Sequence, residues 1–373
     1  MTLPLQPADD HIAVGTVGPA ANGISILARR LAASARAQGF AGTVVDEPDP
    51  ARLAGLPARL PPPVRLVHLH VSDWLFADAA ADPAATLGGL RRDLARRGVR
   101  LALTLHDAPQ GADDPALVRR RSGTYREWAR SAVDVVVSSD HERSLLREVA
   151  GVPGSAVSVI PLPIDPLPID PLPIDPLPFG PRPTGVATDP GARGSRTAAP
   201  TVAVFGFLYP GKGHREVLDE LAGLAPGLTV LAVGQPSQRH PELPAELTRL
   251  ARDNAIDFRV AGFVPDADLA GYLRAPVVPV APQTRICASA SLNAWIGAGR
   301  RPLVAAGRYA QELAGRLPGA VRLYRPGGLR EEVRRAMEEP ARTWLPADLP
   351  VGPTTPAVAA AYLARWRRLV AGC

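Results

Sequence analysis

Lys212 is the only lysine in a chain of 373 residues; every other basic residue among its 42 Lys and Arg is arginine. It lies in GFLYPGKG, residues 206–213, between the apolar run TVAVF (201–205) and a helical pattern opening at His214. A strand, a glycine-rich turn and a helix start present backbone N–H groups and the positive end of a helix dipole to an anion. A lysine in that turn adds a mobile point charge able to follow a phosphate. A solvated turn would accept arginine, so the surviving lysine reads as functional. The stretch nearly fits the phosphate loop G-x4-G-K-[ST]. However, Gly213 stands where the magnesium-binding hydroxyl belongs and no acidic metal partner is evident, which disfavours a P-loop nucleoside triphosphatase.

A second group is histidine. His106 follows the apolar run 101–105 and precedes Asp107, which puts it at the carboxyl end of a strand, where ligand-facing residues gather. His68 and His70 alternate within VRLVHLHV (64–71) and so share one face of a strand. A metal site would need a third ligand that the sequence does not offer; the pair reads as buried and hydrogen-bonded.

Apolar runs alternating with helical stripes must position these groups. In the first half, strands are predicted at 11–15, 64–71, 100–105, 133–138 and 157–160, with helices at 23–38, 87–97 and 140–149, the last capped by Ser139 or Asp140. The alternation restarts with strands at 201–205, 228–233, 258–261, 277–281 and 302–305 and helices at 214–224, 245–253, 267–273 and 289–298. Such alternation predicts α/β domains with parallel sheets covered on both faces. Between the halves, residues 161–175 are three copies of PLPID, and a fourth begins and fails. Proline at this density removes donors and fixes φ, which predicts a semi-rigid polyproline-II linker running on through the Gly/Pro-rich stretch to 200. The expected organisation is a first Rossmann-like domain at 1–160, the linker at 161–200, a second such domain at 201–355, and a helix at 356–373. That helix places Val358, Tyr362, Trp366 and Leu369 on one face, which should pack back on the first domain.

Composition bounds the partners. The net charge of +6 suits anionic ligands, but the arginine bias looks genome-wide and picks none. Two cysteines, Cys287 and Cys373, form no disulfide framework or metal pattern, so a cytoplasmic location is expected. No apolar stretch approaches the roughly 20 residues needed to cross a bilayer. Arg91, Arg92, Arg96 and Arg97, with 119–121, form basic clusters; a peripheral contact with an anionic inner membrane face is weighed against a plain solvated surface. Nucleic acid is disfavoured, because no aromatic residues interleave with the arginines.

Taken in order, the motifs resemble the retaining GT-B glycosyltransferases of the family 4 type, over nearly the whole chain except the repeat. The stretch 206–221 resembles the opening of that family's second domain. AVG (232–234) resembles its next strand end, and AGFVPDADLAGYL (261–273) its G-x-V-x-x-x-x-L-x-x-Y-L stretch, whose first residues lie against the base. ASASLNAWIGAGRRPLV (288–304) is similar to the segment that normally carries two glutamates. In the first half, VGPAANGISILARRL (17–31) resembles the loop opening onto the donor phosphates, TLHD (104–107) the strand end with the active-site histidine, SSDHER (138–143) the S-x-x-E-R helix start, and VSVIPLPID (157–165) the exit to the second domain.

The resemblance implies two doubly wound Rossmann-like domains facing each other across a cleft. The implied reaction is retaining, metal-independent sugar transfer from a nucleotide-diphosphate sugar to a glycan or lipid-linked hydroxyl acceptor, in glycan biosynthesis. The enzyme would be a hexosyltransferase, with mannosyl among the options, and would need no cofactor. Lys212 and His106 would be catalytic: Lys212 neutralising the diphosphate, His106 hydrogen-bonding the transferred sugar. Gly23, Gly206, Gly211, Gly234, Gly262, Phe263, Ser289, Ser291, Leu292 and Asn293 would bind the donor, and Asp73 and Trp74 would line the acceptor side. Two departures stand out. The arginine expected shortly before the lysine is absent, with Phe207 and Leu208 in its place; Arg285, Arg300 or Arg301 could replace it. The first glutamate has no counterpart, and Asn293 stands for the second. Ser289 and Ser291 would cap the helix, leaving its first N–H groups for a phosphate. These losses raise an alternative, a non-catalytic relative that binds a sugar nucleotide or glycan.

Overall fold

The computed structural model describes residues 9–20, 22–76, 82–110, 114–167 and 199–372. Most of the PLPID repeat and the linker, from 168 to 198, lies outside the described residues. The chain forms two compact units: Met1–Ile164 with Ile286–Ala290 and Gly352–Cys373, and Asp165–Arg285 with Ser291–Val351.

In the first unit the order is β1 (Ile12–Val17), α1 (Gly23–Ala37), β2 (Thr43–Glu47), α2 (Leu56–Arg59), β3 (Leu66–Val71), α3 (Pro83–Arg96), β4 (Arg100–Leu105), α4 (Pro115–Ser131), β5 (Asp134–Val137), α5 (Asp140–Ala150) and β6 (Val157–Val159). The strands pair in parallel in the order β2-β1-β3-β4-β5-β6. A parallel sheet must be covered on both faces, and β3 shows how its sequence meets that need. Val67, Leu69 and Val71 join the core under the helices of one face, while Leu66, on the other, joins the core that includes α1. His68 and His70 share Leu66's face and are buried.

In the second unit come β7 (Thr201–Phe205), α6 (His214–Glu220), β8 (Thr229–Val233), α7 (Leu243–Asp253), β9 (Asp257–Val260), α8 (Asp266–Arg274), β10 (Val278–Ala281), α9 (Ala290–Gly297), β11 (Leu303–Ala305), α10 (Arg308–Arg316), β12 (Arg322–Tyr324) and α11 (Leu329–Glu338). These strands are also parallel, in the order β12-β11-β10-β7-β8-β9. This is the doubly wound order in which the first and fourth strands of the domain lie side by side. Helix α6 ends a turn earlier than the periodicity predicts, ahead of Gly223 at φ +67°.

The last helix, α12 (Thr355–Ala371), belongs to the first unit. It buries Val358, Tyr362 and Trp366 against α1 and β3, with the Trp366 ring in tilted contact with both Phe40 and His68. Two ion pairs hold it in place, Arg365 to Asp134 and Arg367 to Asp9. The first unit also takes Ile286–Ala290, whose sequence position suggested the second domain. Cys287 is buried in the first unit's core, and its carbonyl accepts a 2.6 Å hydrogen bond from Ser139 Oγ.

Candidate functional site

In an open parallel sheet, ligands settle beyond the carboxyl ends of the strands, where the winding reverses. In the second unit that point lies between β7 and β10, and Lys212 stands there, on the turn from β7 to α6. Its side chain is 4% exposed, and Nζ donates to Ser291 Oγ at 2.9 Å, in the first turn of α9. No carboxylate pairs with it among the described residues. Burial alone pulls its pKa from 10.5 to about 8, so at neutral pH the ammonium persists without a counter-charge. Its neighbour His214 is held neutral, near 3, by burial and by the lysine's charge.

Close backbone approach builds the surroundings. Gly206 has φ +117°, and a Cβ there would lie 2.9 Å from Lys212 Nζ. A Cβ on Gly234, in the next turn, would come within 2.2 Å of the Gly206 carbonyl oxygen. The two turns are joined by hydrogen bonds from Leu208 N to the Gln235 carbonyl at 3.0 Å and from Ser237 N to the Leu208 carbonyl at 2.8 Å. Side chains at either glycine would force apart the floor beneath the ammonium.

The remaining donor-side candidates are more scattered. Gly211 lies in the lysine's own turn, and Gly262 and Phe263 follow β9, with Phe263 exposed. Leu292 and Asn293 are buried within α9. Of the two serines expected to cap α9, only Ser291 is displaced from the cap position. Helix α9 starts at Ala290, so Ser289 precedes it, while Ser291 lies inside the first turn with its hydroxyl engaged by Lys212. Two of the three cations offered as replacements are also corrected. Arg300 is buried and gives its guanidinium to the carbonyls of Leu273, Ala275, Val277 and Thr343 and to Thr343 Oγ1, stacked on Trp344. Arg301 donates to the Gly319 carbonyl at 2.8 Å. Both precede β11, at the amino end of a sheet whose carboxyl end carries Lys212. Arg285 alone follows β10, at the carboxyl end, where it is exposed.

In the first unit, the reversal lies between β1 and β3. Gly23 opens α1 there, where Asn22 accepts a 2.8 Å hydrogen bond from Ile24 N. His106 follows β4 and is buried, with Nε2 at 3.1 Å from His70 Nδ1 and the two rings stacked. Burial pulls its pKa to about 4 against the opposing pull of Asp107, so His106 is a neutral hydrogen-bonding group at pH 7. His68 bonds Thr104 Oγ1 at 2.8 Å. The three histidines are one cluster, although His106 is read apart from the other two in sequence.

Sequence reasoning missed the framework around His106. Glu142 is buried, accepting from Ser138 N at 2.7 Å and from Asp107 N at 3.2 Å. Its signal was present: Ser139 and Glu142 have capping-box spacing, and Ser139 Oγ accepts from Glu142 N at 2.9 Å. Arg121, assigned to a basic cluster, instead clamps Asp73 with two hydrogen bonds of 2.7 and 2.9 Å.

No protein-family profile matches the chain, and no curated protein sequence does. Solved structures do match. The Anabaena protein HepE, in complex with UDP and glucose, is 16% identical and superposes with a TM-score of 0.61 over 95% of each chain. A glycosyltransferase from Rickettsia africae is 12% identical with a TM-score of 0.58, covering 97% of this chain and 99% of that one. The catalytic domain of starch synthase IV from Arabidopsis thaliana, bound to ADP and acarbose, is 11% identical with a TM-score of 0.55, covering 96% and 99%. At these identities the likeness establishes the fold: two Rossmann-like parallel α/β domains of the GT-B type. No helix among the described residues is long and apolar enough to cross a membrane.

Proposed function

We propose that the protein is a glycosyltransferase that takes a hexose from a nucleoside-diphosphate sugar and passes it to a hydroxyl acceptor, with retention and without a metal ion. The observation that carries this reading is the buried, carboxylate-free ammonium of Lys212 at the winding reversal of a parallel sheet. A charge kept in a low-dielectric site without a counter-charge is costly. A ligand bearing negative charge removes that cost, and the glycine turns let its oxygens approach closely. When the bond between the sugar and the diphosphate oxygen breaks, negative charge builds on the diphosphate. Lys212 would absorb it, which is electrostatic stabilisation of the transition state. His106, neutral at working pH, would hydrogen-bond a sugar hydroxyl. The solved complexes of HepE with UDP and of starch synthase IV with ADP support the ligand class.

A second reading has its own observation. Arg300 is committed to the protein interior, and Asn293 stands where the family resemblance implies a carboxylate, so on this reading the chain binds a sugar nucleotide without turning it over. Calorimetry with UDP, GDP and ADP, followed by diphosphate release from their glucose and mannose conjugates, tests both. Micromolar binding with release supports the transferase. Binding with neither transfer nor slow hydrolysis at saturating donor supports the binding protein. No binding of any nucleoside diphosphate overturns both.

A further inference from the structure

We propose that His70 is a positioning residue: it donates its Nδ1 proton to His106 Nε2 and so holds His106 as the tautomer protonated on Nδ1. The histidine that the transferase reading sets against a sugar then offers a hydrogen-bond donor, and its partner is a lone pair on a sugar oxygen. The tautomer stands without that reading; only its use in sugar transfer rests on it.

The two rings come from neighbouring strands. His70 lies in β3, in register with Thr104 of β4, and His106 follows β4. Their planes differ by 22°, and with centroids 5.4 Å apart but nitrogens only 3.1 Å apart the rings meet through His70 Nδ1 and His106 Nε2. Burial holds both imidazoles well below 6.5, so each is neutral at pH 7 and carries a single N–H. Two bare nitrogens at this distance would repel and two protonated ones would clash, so one proton lies between them. The accepting ring must then carry its own proton on its far nitrogen, which leaves two arrangements.

The surroundings separate the two. If His106 donated, the leftover N–H would be at His70 Nε2. That atom makes no hydrogen bond among the described residues, and its ring lies in the core, 5.5 Å from the His68 and Tyr362 rings. An orphaned N–H in a core is rarer and costlier than an orphaned acceptor. If His70 donates, the core keeps only a bare acceptor. The leftover N–H is then at His106 Nδ1, on the residue next to Asp107, whose negative charge favours protons on that ring. The place of His106 is fixed without His70: its N–H donates to the Val71 carbonyl at 2.9 Å, and its carbonyl accepts from Tyr125 OH. His70 therefore sets the ring's proton rather than the residue's position.

Long-range proton–nitrogen NMR of the histidine-labelled full chain, without ligand, reads the tautomer; the His106 signals are those lost in His106→Gln. Wild type should show a bare Nε2 and a protonated Nδ1. His70→Leu, which keeps bulk without a donor, should move the proton to Nε2. With whichever glucose or mannose conjugate of UDP, GDP or ADP the chain turns over, it should lower kcat roughly a hundredfold and leave KM nearly unchanged. His70→Asn, whose side-chain N–H can replace Nδ1–H, should restore the tautomer and most of the rate, although it fills the core less well than leucine. A wild-type His106 protonated on Nε2 overturns the proposal by itself, whether or not any variant folds. So does a tautomer unmoved in His70→Leu, or an equal loss of rate in the leucine and asparagine variants. The expected tautomer and its switch, in a chain that turns over no sugar nucleotide, uphold the role of His70 and remove the transferase reading alone.

Discussion

Replacing Lys212 by methionine should make the ligand-free protein more stable and its diphosphate affinity far weaker. The buried ammonium has its pKa lowered from 10.5 to about 8. Between those values the unfolded chain holds the extra proton, so this group's contribution to stability rises with pH from about 8 to 10.5 and is least favourable below 8. The drop corresponds to a penalty of roughly 3 kcal/mol for folding with the charge in place at pH 7. Methionine is of similar length and removes that penalty, at the loss of one charge-assisted hydrogen bond to Ser291, about 1.5–2 kcal/mol. The net expectation is a gain of about 1 kcal/mol, or a melting point a few degrees higher. With saturating UDP the order should reverse. Wild type gains stability through binding, while the variant loses about 3 kcal/mol or more of binding energy, a hundredfold or greater loss of affinity. Thermal denaturation with and without UDP at pH 7, with calorimetry for the affinities, reads both halves. A Lys212→Met protein that is less stable than wild type without ligand, or that binds UDP equally well, would refute the reasoning.

Acid should weaken the first unit through its histidine cluster. His68 and His106 are each held near 4, and His70 is lowered as well, all chiefly by burial. Because these folded values lie below the unfolded 6.5, stability is fully present above about pH 6.5 and is lost as pH falls toward 4, on the order of 3 kcal/mol for one such site. Melting temperatures from pH 7 to 4.5 should fall, and His68→Gln should flatten the slope; an unchanged slope in that variant would remove His68 as a cause. Arg300→Met should cost about 3 kcal/mol or more, because four carbonyls lose a buried donor. Its folded fraction should still bind UDP normally in calorimetry, and a stable variant with lost UDP affinity would return Arg300 to the donor site.

The amino-acid order alone determined the repeating strand–helix plan, because parallel strands buried on both faces must be continuous apolar runs such as VRLVHLHV and TVAVF. It also singled out Lys212, since a glycine-rich turn between strand and helix has few uses and a lone lysine among arginines is legible without coordinates. It passed over β2, α4 and the closing α10–β12–α11 stretch. Helix α4 buries Ser122, Thr124, Tyr125 and Trp128 rather than an aliphatic stripe, so its pattern carries little apolar signal. Tertiary structure decided which arginine lies at the ligand edge of the sheet. Arg285, Arg300 and Arg301 are alike as letters, but their strand ends differ, and a parallel sheet has a ligand edge and an opposite edge. It likewise joined His106 to His70 across neighbouring strands, moved Cys287 into the first unit's core, and locked Trp74 to Asp107. Those pairings depend on strand register and on packing between residues distant in the chain, which no local spacing records.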